Sequence, residues 1–141
     1  MTRILNVKRE QQIIAVDFDG TCVTHEYPVV GKEIGAATIL KDLTDKGHQL
    51  ILFTMRSGVE LQDAVNWFNK HNIPLYGLNE NPTQKSWTAS PKPYANIYID
   101  DAALGCPLST TLFDGDNLVT TDRPFVDWLI IEDMLTQRCL L

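Results

Sequence analysis

The chain has 141 residues, the length of one ordinary domain, and its 44% hydrophobic content suffices for one packed core without disulfides. Twelve Lys and Arg against eighteen Asp and Glu give a net charge of −6, which disfavours long stretches of nucleic-acid backbone and anionic membrane surfaces. It leaves room for a phosphate ligand, because a local cation and a few backbone N–H groups reverse the field at one site.

Cys22, Cys106 and Cys139 show no CxxC spacing, so they give no zinc signal and fit a reducing compartment. No stretch approaches the ~20 apolar residues that a membrane helix needs. The opening MTRILNVKREQQIIAV has no leader pattern, so the expectation is a cytoplasmic protein that avoids membranes.

In chain order, Gln12 to Asp17 (QIIAVD) reads as a strand buried on both faces. Gly20 to Gly31 reads as a loop. Ala36, Ile39, Leu40 and Leu43 fall at helical spacing, so residues 34–46 form an amphipathic helix that stops at Gly47. His48 to Phe53 (HQLILF) is a second buried strand. Ser57 and Glu60 have the spacing of a capping box, and Leu61, Ala64, Val65 and Phe68 carry a helix to about His71. Leu75 to Gly77 is a short third strand, 78–95 a loop with three prolines, and Asn96 to Asp100 (NIYID) a fourth strand.

Strands alternating with single helices predict right-handed crossovers and a parallel sheet, within one domain spanning residues 1–141. Asp114-Gly115 between two β-prone runs predicts a hairpin insert at about 107–121. Pro124 suits a first helical residue, so a closing helix is expected from there to about Cys139.

Ligands of open parallel sheets bind beyond the carboxyl ends of the strands. The first strand ends in Asp17-Phe18-Asp19-Gly20-Thr21, the second in Thr54-Met55-Arg56-Ser57-Gly58, and the fourth in Asp100-Asp101. Several carboxylates in one crevice are costly without a cation, and an oxygen-only donor set selects a hard one, with Mg2+ the usual choice. The Thr54 hydroxyl and the N–H groups of the turn after it can hold phosphate oxygens.

These residues carry a resemblance. AVDFDGT resembles the DxDGT nucleophile motif of the haloacid dehalogenase (HAD) superfamily. LFTMRSG is similar to its second motif and IYIDD to its acidic fourth motif. KPYANIYIDD is similar to the lysine-plus-acidic segment of small capless members. FVDWLIIEDML also resembles the closing helix of small members. The likeness runs from about Ile13 to Gly105.

It implies a three-layer α/β/α Rossmann-like fold without a cap domain, and a phosphatase-type hydrolase acting on a phosphomonoester. By the same resemblance Asp17 would attack phosphorus and form an aspartyl-phosphate, and Asp19 would serve as acid and base. Thr54 and Lys92 would act on the phosphoryl group; Asp17 and Asp100 would hold magnesium, with Asp19 contributing its backbone carbonyl and Asp101 ligating directly or through water. Gly20, Thr21, Met55 and Arg56 fall in the substrate-binding segments of the first two motifs. Lys85 competes with Lys92 for the lysine role, and Ala102 stands where small members often carry Arg.

The spacings from Asp17 to Thr54 (37 positions) and from Thr54 to Lys92 (38) leave no room for a cap. The site is therefore expected to be open, or covered by 22–31, by 78–95, or by a neighbouring subunit of a homo-oligomer. The partner is a phosphorylated substrate, small molecule or nucleotide, with nucleic acid entering only as a phosphate-bearing end. A nucleotidase, a polynucleotide 3′-phosphatase and a sugar-phosphate phosphatase all use such a site. The non-enzyme alternatives are a degenerate phosphate-binding member and a receiver-like module without turnover. In receivers, however, the acidic pair precedes the phosphorylated Asp.

Among the remaining residues, Arg56 reads as a turn residue at the surface or a phosphate contact, and His25 as part of a polar loop. His48 and His71 read as structural, Trp67 and Trp128 as core, and Cys22 as packing. Trp87 is expected to anchor its loop.

Overall fold

A computed structural model describes residues 10–141; the first nine residues, and what was expected of them, lie outside the description. The elements are β1 (Ile13–Val16), α1 (Ala36–Asp45), β2 (Gln49–Leu52), α2 (Gly58–Lys70), β3 (Gly77–Leu78), β4 (Ile97–Ile99), β5 (Leu108–Asp114), β6 (Asn117–Val126) and α3 (Trp128–Gln137). A 3-10 turn, Gln84–Ser86, lies between β3 and β4. The first four strands form a parallel sheet in the order β3-β2-β1-β4. The α/β class and the parallel sheet are as expected.

Central β1 and β2 are apolar on both faces, and Ile14, Ala15, Val16, Leu50, Ile51 and Leu52 are all buried. The two faces differ in what covers them. Ile14, Val16, Leu50, Leu52 and Ile99 pack with Leu40 and Leu43 of α1, Phe68 of α2 and Trp128, Ile131 and Leu135 of α3. The opposite face contributes Ala15 and Ile51, which pack with Ala95, Ile13 and Tyr76.

All three helices therefore lie on one face, a departure from the α/β/α layering expected. The chirality of crossovers explains it. β1 to β2 and β2 to β3 step the same way across the sheet, so right-handed connections put α1 and α2 on one side. The return from β3 to β4 crosses the other side, and it carries a loop with a single 3-10 turn in place of a helix.

Local chemistry sets the other departures. β3 is Gly77–Leu78 rather than Leu75 to Gly77. The chain turns immediately afterwards at Asn79 (φ 55°), and a Cβ on Gly77 would lie 2.0 Å from the Glu80 carbonyl oxygen. The Ser57 hydroxyl makes no capping bond, so the Ser57–Glu60 capping box does not form. The hairpin insert exists, but its two-residue turn is Gly115-Asp116, closed by the pair Asp114 and Asn117; Gly115 takes the positive φ (65°) that such turns require.

Pro124 does not start the closing helix. It sits inside β6, where a two-stranded ribbon tolerates proline on an edge. Asp127 starts α3 instead, its carboxylate accepting from the N–H groups of Leu129 and Ile130. No helix among the described residues is long and apolar enough to cross a membrane.

Candidate active site

The acidic site grows from the ends of β1 and β4. Asp17 N–H still donates to the Ile99 carbonyl (3.0 Å), so Asp17 is held at the carboxyl edge beside Asp100. The next residue, Phe18, is fully buried against Trp67 and Phe68, and its carbonyl accepts from the N–H groups of Thr21, Cys22 and Val23. That tight turn swings Thr21 back over Asp17. Gly20 adopts φ 77° there, and a Cβ on it would fall 1.9 Å from His25 Nε2.

Thr21 joins the two strand ends. Its Oγ1 lies 3.0 Å from Asp17 Oδ2 and 3.3 Å from Asp101 Oδ1, and it accepts from the Asp101 N–H at 3.1 Å. One hydroxyl proton thus serves two carboxylates. The Thr21 carbonyl accepts from Trp128 Nε1 at 2.6 Å, which braces the turn against α3.

Asp17, Asp100 and Asp101 each offer a carboxylate oxygen within 4.8 Å of the others, three acids from two strands at one point. Burial, a hydrogen bond to Asp101 and the charge of Asp100 push the Asp17 carboxyl up to about 8. Burial likewise raises Asp100, although the Ala102 N–H donates to its Oδ1 at 2.8 Å. Ala102 thus supports Asp100 through its backbone N–H.

The remaining expected residues divide. The Asp19 side chain lies outside the cluster: both its oxygens are taken by Arg56, Nε to Oδ2 at 2.8 Å and Nη2 to Oδ1 at 2.7 Å. Arg56 is 3% exposed, so it is neither a surface turn residue nor open to a phosphate. The Thr54 Oγ1 accepts from the Arg56 N–H (3.1 Å), and the Thr54 N–H donates to Asn79 Oδ1 (2.7 Å); the hydroxyl caps the turn and keeps its own proton to donate. Met55 is 98% exposed.

Lys92 makes no ion pair with the acids. Its Nζ sits 5.2 Å from the centroid of the Tyr98 ring, and that ring lines a cleft of about 230 Å³ together with Asp17, Asp100 and Phe53. Lys85 lines a different cleft, with Asn79, Gln84 and Ser90.

His25 is not a solvated loop residue: its Nε2 lies 2.8 Å from Asp101 Oδ2 with the side chain 12% exposed. Nothing in the local sequence marks this pairing across 76 positions. Trp87 does not anchor its loop to the core; it is exposed and meets Tyr94 edge to face. Trp67, Trp128 and Cys22 are buried as expected, and burial raises the Cys22 thiol. His48 is structural, with Nδ1 accepting from the Gln12 N–H and Nε2 bonded to the Leu140 carbonyl. His71 lies between Trp67 and Glu33.

An open parallel sheet with acids gathered at its carboxyl edge is the class of architecture that binds ligands there. No family model matches the chain, and no curated protein matches it. Among solved structures it is similar to a conserved protein from Bacteroides thetaiotaomicron, with 32% identity over 92% of this chain and 93% of that one and a TM-score of 0.71. At that identity and coverage this chain belongs to the same family as that protein. The likeness carries the fold and attaches no activity to it.

Proposed function

We propose that the chain is a magnesium-dependent phosphomonoester hydrolase with a capless HAD-like fold, using Asp17 as nucleophile. The observation that carries the reading is the convergence of Asp17, Asp100 and Asp101 within 4.8 Å. The donor set is all oxygen, and its mutual repulsion is what a hard divalent cation relieves, so these three residues fit magnesium. When bound, the ion would neutralise the acids and the phosphate charge beside them.

The chain's own residues supply the steps. An Asp17 carboxylate oxygen attacks phosphorus, the bond from phosphorus to the ester oxygen breaks, and that oxygen leaves with a proton from Asp19. Water then attacks phosphorus, giving its proton to Asp19, and the acyl-phosphate bond breaks to restore Asp17 and release phosphate. Both Asp19 oxygens are bonded to Arg56 and the side chain is 20% exposed, so this role requires the carboxyl to turn out of the Arg56 fork toward the ester oxygen. Thr54 keeps a hydroxyl proton for a phosphoryl oxygen. Thr21 orients Asp17 and Asp101.

The test is phosphate release from a panel of aryl, nucleoside and sugar phosphates with and without magnesium. The reading predicts turnover that chelator removes and that Asp17→Asn lowers by at least ~10³-fold. Turnover retained in Asp17→Asn would contradict it. An acyl-phosphate donor that leaves a stable phospho-protein without turnover would shift the reading to a receiver-like module.

A further inference from the structure

The Arg56 guanidinium lies over two rings, 5.0 Å from the Phe18 centroid and 5.2 Å from that of Tyr27. A guanidinium has five N–H donors, and five hydrogen bonds leave this one. Two go to the Asp19 oxygens. Two go to the loop that follows the nucleophile turn, from Nη1 to the Pro28 carbonyl (3.2 Å) and from Nη2 to the Val29 carbonyl (2.8 Å). The fifth, from Nη1, reaches the Glu60 carbonyl in the first turn of α2 at 3.1 Å. No donor remains for a phosphoryl oxygen.

We infer that Arg56 is a positioning residue that locks the Asp19 carboxylate and the 26–29 loop together, so that neither moves without the other. The Asp19 side chain makes no hydrogen bond to that loop; among the described residues its bonds go to Arg56 alone. If Asp19 turns away, a buried guanidinium loses its charge partner. If the loop lifts, the same guanidinium loses two carbonyls. Either loss loosens the other partner, because one rigid fork holds both. The consequence for turnover rests on the phosphohydrolase reading, whereas the mechanical coupling does not.

Hydrogen exchange read by mass spectrometry on the full chain tests the coupling. The reporters are loop amides with partners inside the loop: Val29 N–H to the Glu26 carbonyl, Thr24 N–H to the Lys32 carbonyl, and Lys32 N–H to Thr24 Oγ1. Asp19→Asn keeps the shape of the side chain but turns an amide N–H₂ toward Arg56. The expected result is exchange across 24–32 faster by about tenfold or more, with β2 and α1 unchanged.

Arg56→Lys is expected to loosen the same segment and, on an aryl phosphate, to lower kcat by more than it raises KM. Unchanged loop exchange in Asp19→Asn would overturn the coupling, as would an increase shared equally by β2 and α1. If no variant and no wild-type protein hydrolyses any phosphate ester, the functional reading fails while the exchange result still decides the coupling.

Discussion

Asp17 sets the chemistry of the site through its neighbours. Its carboxyl stands at about 8 against an ordinary 3.8, chiefly because burial and Asp101 disfavour the charged form. Between those values the folded chain holds a proton that the unfolded chain has released. Without a divalent cation, stability should therefore fall as pH rises from about 4 toward 8, with the loss complete above 8. Urea denaturation at a series of pH values checks this, and Asp17→Asn should flatten the slope.

Gly20 is the second residue on which the arrangement turns. A Cβ there would strike the His25 ring and would also have to adopt φ 77°. Gly20→Ala should displace His25 from Asp101 and cost about 1–3 kcal/mol by the same denaturation measurement. The acids at the strand ends are legible in the sequence because each follows directly on a short apolar run that reads as a buried strand, which puts it at that strand's carboxyl end. Arg56 and His25 are not. Their partners lie 37 and 76 positions away, and no local pattern distinguishes a solvated loop cation from a buried one.

At the scale of elements, the helix that closes the chain braces the site. Trp128, first residue of α3, donates to the carbonyl of Thr21, whose hydroxyl touches Asp17 and Asp101. Trp128→Phe keeps most of the packing but leaves that carbonyl unpaired, so a loss of about 1–3 kcal/mol is expected, together with weaker divalent-cation binding by calorimetry.

The start of α3 shows how local signals compete. Pro124 has the right backbone angle for a helix start, yet β6 continues through it. The Asp127 side chain supplies the cap, because its carboxylate satisfies two N–H groups that would otherwise be unpaired. Asp127→Ala should cost about 1 kcal/mol. The period of the apolar residues made α1 and α2 legible almost to the residue. The loop at 78–95 is legible in the sequence, whereas its consequence for layering depends on the strand order β3-β2-β1-β4, which no local pattern fixes.

For the molecule as a whole, the sheet brings together acids that repel one another. Folding alone does not relieve that repulsion, and a ligand that binds only the folded state does. Saturating magnesium should therefore raise the thermal midpoint, by the equivalent of about 2.7 kcal/mol at a concentration 100 times its dissociation constant. The gain should be larger at pH 8.5 than at pH 5, where protons compete for the same oxygens. Helices cover one face of the sheet, and the long connection between β3 and β4 crosses the other. Under the proposed function, substrate selection would fall to the 22–31 loop, whose Pro28 and Val29 carbonyls Arg56 holds, and to the aromatic residues beside the cleft.

A crystal structure with magnesium and fluoroberyllate tests the central claim most directly. The account predicts beryllium bonded to a carboxylate oxygen of Asp17 and a cation held by the Asp17, Asp100 and Asp101 cluster. A cation bound elsewhere, or fluoroberyllate that leaves Asp17 untouched, would contradict it.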